Sequence, residues 1–198
     1  MHTFRHCIAA CLATFALTSH GAPSDPLLPP AAPMQSTYTP THLLRAEQLI
    51  DAVGLTKLIE GEFQRAFTEK VNGDPAKVQA LMRLVKPYIS RRKVVENMNA
   101  MIASYVDEPS SAELVDFLNS DVGKTLVDKV LFIPDDSTEK VHMSQEDYDA
   151  VVAISKTEAW FDLAVMLATL TTKTIPGIVE RGVPQIMALY ECECGAKQ

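Results

Sequence analysis

A chain of 198 residues, 47% hydrophobic and 22% charged with a mean hydropathy of +0.04, has the composition of one folded domain. That composition excludes extensive disorder and burial of the whole chain in a bilayer. Its net charge of −7 excludes nucleic acid as the expected partner, because phosphate contacts need concentrated lysine and arginine, and it suits basic proteins instead.

Residues 1–21 read as a secretory signal peptide. Arg5 and His6 precede an apolar run from Cys7 to Leu17, and Ser19 and Gly21 are small residues placed for cleavage before Ala22. The run is too short to cross a bilayer, and no cysteine follows it at a lipoprotein position. The expected location is the periplasm, or outside the cell, after cleavage near Gly21 and Ala22. Residues 22–40 then contain Pro23, Pro26, Pro29, Pro30, Pro33 and Pro40, a density no helix or central strand tolerates, so an extended lead-in is expected.

From residue 41 to residue 190 the apolar side chains recur at helical spacing. Leu43, Ala46, Ile50 and Val53 mark a first helix, stopped at Gly54. Thr56 is the expected cap of a second, with Ile59, Phe63 and Phe67 on one face and an end at Asn72 and Gly73. Asp74 and Pro75 open a third, and a fourth is expected from Pro87 to Tyr105. Ser110 and Glu113 have capping-box spacing ahead of Leu114 and Phe117, and Ser120 with Asp121 opens the next helix almost without a loop. Residues 133–141 read as a loop, and Ser144 starts another helix.

Residues 159–170 are apolar on nearly every face, with Asp162 the one charge. Such a helix is expected to be buried on all sides, as the central helix of the fold or as part of a subunit interface, and at this length it is too short to span a membrane. The final stretch, 175–190, contains Pro184 and should kink there. The expected fold is therefore all-α, one compact domain of seven to eight helices with no transmembrane segment after the leader. Segments 117–126 and 154–163 also echo one another, each with an apolar residue, a Ser120 or Thr157 cap followed by an acid, and an apolar return.

Few residues suggest chemistry. Once the leader is removed, Cys192 and Cys194 remain as a Cys-Glu-Cys tail within residues 191–198, a candidate strained disulfide or redox pair and too few ligands for zinc. His42 and His142 lack metal-ligand spacing and are expected to face solvent. Ser137 to Lys140 matches a Ser-x-x-Lys pattern without companion motifs, and Gly123-Lys124-Thr125 lacks a phosphate-loop glycine because position 118 is leucine. The acids Asp107, Glu108, Asp135 and Asp136 lie beside prolines and read as solvated loop acids. Lys86, Arg91, Arg92 and Lys93 cluster at the start of the fourth helix, where the helix dipole disfavours cations, which makes them a candidate binding patch for anions. No catalytic residue, metal or cofactor is expected.

The box Glu113, Leu114, Phe117, Leu118, Ser120, Gly123 and Leu126, within residues 110–131, resembles the hallmark segment of a family of small exported helical proteins of Gram-negative bacteria. That family is the domain of unknown function numbered twenty fifty-nine. Leu43 to Gly54 and Pro87 to Tyr105 look like the same family's helices, whereas Leu118 and Asp121 depart from its usual tyrosine and proline. The resemblance implies a helical periplasmic domain without an established activity, and it carries no catalytic residue over. In the box, Phe117 and Leu118 read as core anchors, Ser120 as a cap and Gly123 as a point of close helix approach.

The expected function is a non-enzymatic interaction module that binds a protein in the envelope, with an immunity protein against a basic toxin as one form of it. The alternatives are an envelope hydrolase whose site, containing His142, assembles only in the fold, and a lipid or small-ligand carrier with Met82, Met98, Met101 and Met166 lining a cavity. The oligomeric state is open at this point.

Overall fold

The computed structural model describes Leu27, residues 37–131 and residues 144–195, with side chains up to 128 in the first segment and up to 192 in the second. The chain is all-α: no strand occurs among the described residues. The expected leader, most of the expected lead-in, the 133–141 stretch and His142 lie outside them.

Helix α1 (Pro40–Ala52) begins with Thr39, whose hydroxyl accepts the His42 amide, and with proline in the first turn. Gly54, at φ 66°, turns the chain directly into α2 (Leu55–Lys70), so the second helix starts at Leu55 rather than from a Thr56 cap. A left-handed glycine makes the corner so tight that no side-chain cap is needed. Asn72 and Gly73 provide the next reversal at positive φ, and Asp74 caps α3 (Pro75–Val85) through the Ala76 and Lys77 amides. Residues 86–90 are turn rather than helix, because Pro87 has no amide to continue the ladder, and α4 (Arg91–Ala103) starts at Arg91.

Asp107, not Ser110, caps α5 (Glu108–Asn119): its carboxylate accepts the Ser110 amide at 2.7 Å, and Pro109 fits the first turn. Hydrogen bonds from Ser110 hold that carboxyl below its ordinary range. Helix α6 (Asp121–Leu131) follows at once, and α7 (Gln145–Ile154) is capped by Ser144 as its sequence suggests. Next comes α8 (Glu158–Thr169), capped by Thr157. A π-helical turn, Leu170–Thr174, carries it without a break into α9 (Ile175–Gly195), which passes through Pro184.

Packing divides the domain in two. Helix α1 lies against α4 and α5, while α9 lies against α2 and α3, and α1 also touches α2. The long final helix joins the two halves, since its first part, α8, rests on α5. The core runs through both, from Leu49, Val94, Met98, Ile102 and Leu114 to Phe63, Phe67, Leu81, Ile178 and Val183. Leu27 belongs to it at 1% exposure, so the proline-rich lead-in contributes one anchor and is not wholly external. Burying a leucine stabilises by about 2 kcal/mol.

Candidate functional site

The segment from Glu113 to Leu126 forms the corner between α5 and α6. Ser120 donates its hydroxyl proton to the Phe117 carbonyl at 2.6 Å and accepts the Gly123 amide at 3.1 Å. Gly123 is needed there, since a Cβ would collide with the Phe117 carbonyl oxygen and stand 2.6 Å from Leu118 Cα. Thr157 repeats the pattern at the start of α8, donating to Ile154 at 2.8 Å and accepting from Trp160 at 3.2 Å. The sequence echo is thus an echo of corners. Leu114 and Leu118 are buried, Phe117 and Leu126 half-buried, and Glu113 exposed.

The two corners face each other across a groove. Phe117 meets Trp160 edge to face, with ring centres 6.0 Å apart. Beside this pair Val53, Leu118, Leu126 and Val127 oppose Trp160, Leu163, Ala164 and Leu167 of α8 around a space of about 160 Å³ with no polar surface. Such a lining has nothing to activate a nucleophile or hold an ion, and it suits an apolar group.

Helix α8 is not enclosed as its composition suggests. Ala159, Leu163 and Met166 are buried, but Phe161 is 67% and Val165 41% exposed, and Ala164 and Ala168 are exposed with them. One face is enough to pack on α5, and no element among the described residues covers the other. The helix is also longer than its apolar run: Glu158–Cys192 is long and apolar enough to cross a membrane by length and composition alone, which overturns the objection from length. Its buried face, from Leu163 and Met166 to Ile178 and Val183, is nevertheless spent on the domain core.

The threonines on this face are satisfied within the helix, and Glu158 is an exposed charge one turn before Phe161. Thr169 donates to the Val165 carbonyl at 2.9 Å, Thr171 to Leu167 at 2.9 Å and Thr172 to Ala168 at 2.6 Å. The hydroxyls are satisfied within the helix and methyl groups remain at the surface.

The other sequence candidates are placed differently. Arg91 turns onto α1, giving Asp51 a two-pronged contact at 2.8 and 2.6 Å and Glu47 a third bond at 2.7 Å. Those bonds, Asp51 first, strengthen the hold of its guanidinium on its proton. Arg92 and Lys93 pair with Glu96 at 3.5 and 3.4 Å, while Lys86 is exposed in the turn before the helix. The cations at this helix start are therefore held mainly by neighbouring carboxylates. His42 is 8% exposed, against the solvent position expected of it, and its Nε2 donates to the Val106 carbonyl at 2.7 Å while Tyr38 stands edge-on.

Cys192 is half-buried on α9 and the helix continues to Gly195, so the Cys-Glu-Cys segment is helical backbone rather than a separate tail; the Cys194 side chain lies outside the description. Positions two apart on a helix face different ways, so a bridge between them requires that turn to unwind. Met98 and Met166 are core residues, Met82 and Met101 pack against the core, and none of the four lines the groove. Among the described residues no group of three or more His, Cys, Asp or Glu could hold a metal.

Of the groove, the sequence placed Leu118 and Leu126 in one corner and Val53 in a helical stripe, but it did not bring them together with Trp160, Ala164 or Leu167; the signal was the all-round apolarity of α8. In comparisons with known proteins, no family model, no curated protein and no solved structure matches the chain.

Proposed function

We propose that this protein is a non-enzymatic interaction module of the bacterial envelope, exported by residues 1–21, whose binding surface is the outer face of α8 with the adjoining groove. The observation that carries this reading is Phe161, an aromatic ring 67% exposed on a helix whose neighbouring surface residues, Ala164, Val165 and Ala168, are also apolar. Aromatic anchors in apolar surroundings dominate protein interfaces, and a contiguous exposed apolar patch costs solubility unless something covers it. The likeness of residues 113–126 to an exported helical family fits this setting.

The negative balance of the remaining surface would speed the approach of a basic partner, so a toxin-neutralising immunity protein is one form of the same function. The test is capture from envelope extract on immobilised wild-type and Phe161→Asp protein, with bound proteins identified by mass spectrometry. A partner held by the wild type and lost from the variant is expected; equal recovery on both would contradict the assignment of α8.

A further inference from the structure

The groove beside α8 and the side chain next to it match in size. The groove holds about 160 Å³ behind an entirely apolar lining, and a dry apolar cavity of about 150 Å³ accepts a benzene ring. Phe161 carries such a ring, turned outward, about one helical turn before Ala164, which is itself exposed and lines the groove. An outward-facing knob does not fill a hole on its own helix. Two copies related by a twofold axis solve this, because each then supplies its knob to the other's hole.

Charge selects the same surface. Copies of net charge −7 repel one another, so they must meet where charge is absent. Exposed positions Phe161, Ala164, Val165, Ala168, Thr171 and Thr172 are uncharged, Glu158 bounds the face one turn before Phe161, and the threonine hydroxyls donate to their own helix. Closing such a face strands no donor. A lipid surface would also accept an apolar face, but it makes no use of a hole of fixed size, and anionic headgroups repel an acidic chain.

We propose that the protein forms a twofold homodimer through α8, with Phe161 of each copy seated in the groove formed by Trp160, Ala164 and Leu167 of the other. The pairing rests on the reading of α8 as a protein-binding face and names what binds there. Ala164 matters because a larger side chain at that position would fill the groove.

Sedimentation equilibrium of the purified protein over a wide concentration range tests it, with Phe161→Asp and Ala164→Trp alongside. Both positions are exposed, and thermal melting by circular dichroism establishes that each variant is folded. The expected result is a reversible monomer–dimer equilibrium whose dissociation constant rises about tenfold or more in either variant, as for the loss of an interface hot spot. A wild-type monomer at every concentration, or a dimer indifferent to both substitutions, would overturn the pairing. If that monomer still retains an envelope protein through Phe161, the interaction reading survives and the partner is another chain. If it instead floats with phosphatidylcholine vesicles in a Phe161-dependent way, the face serves lipid and both readings fall.

Discussion

The two parts of the long terminal helix are made of similar residues and used in opposite ways. Helix α9 contains Pro176, Gly177, Gly182 and Pro184, poor material for a helix, yet Ile175, Ile178, Val179, Val183 and Ile186 are buried. Helix α8 is richer in apolar residues but leaves Phe161 and Val165 outside. Helix α9 lies in the angle between α2 and α3, whereas α8 rests chiefly on α5. Apolar content therefore does not decide burial here; the number of helices available to cover each part does. What α8 has in excess is surface left for a contact beyond the chain.

Substitutions can break this contrast. The largest effect is expected at Ile178, fully buried on α9: Ile178→Ala should cost about 3 kcal/mol in chemical denaturation, since it removes apolar contacts and leaves a void. A loss below about 0.5 kcal/mol, the range of ordinary surface changes, would mean that α9 is not the packed part.

Gly182→Ala comes next. Its added methyl would stand 2.6 Å from Phe63 Cζ and 3.2 Å from Leu27 Cδ2, and Phe63 is fully buried, so overpacking should outweigh the gain in helix propensity. A net loss of about 1–2 kcal/mol is expected in the same measurement, and an Leu27→Ala background should relieve part of it. A stabilised Gly182→Ala protein would show that Leu27 and Phe63 do not close on α9 as described.

Support for α8 is tested through α5. Asp107→Ala should cost about 1 kcal/mol as a lost helix cap. The Asp107 carboxyl is held below its ordinary value by hydrogen bonds from Ser110, so the folded state binds that proton less readily than the unfolded chain. The cap's contribution is therefore complete above a pH of about 4 and declines as pH falls through the lowered folded value. Denaturation at pH 7 and in acid should give a larger wild-type-to-variant gap at pH 7; an equal gap would remove the carboxylate from the cap.

The smallest effect on monomer stability is expected at Phe161: Phe161→Ala should change it by less than about 0.5 kcal/mol in dilute protein. A larger loss would place the ring inside the fold and end the contrast between α8 and α9.

Local punctuation made much of this fold legible. Asp74 with Pro75, Ser120, Ser144 and Thr157 each mark a helix start because their hydrogen bonds are made within a few residues. Where two local signals competed the reading went astray: the spacing of Ser110 and Glu113 suited a capping box, but Asp107 ahead of Pro109 took the cap. Long-range partners were out of reach altogether. His42 is buried because the Val106 carbonyl, distant in sequence, accepts its proton, and Leu27 is buried because it closes on Gly182 across the fold. The groove was half visible. Leu118 and Leu126 lay in a recognisable corner, but a helix apolar all round carries no polar face to say which side stays open.

Trp160, the chain's single tryptophan, lines the groove and reports on it directly. Acrylamide quenching of its fluorescence, followed as protein concentration rises, is the most direct measurement of whether α8 meets a second copy. Docking at this face requires quenching to fall with concentration in the wild type and to stay constant in Phe161→Asp. Quenching that does not change with concentration in the wild type would contradict it.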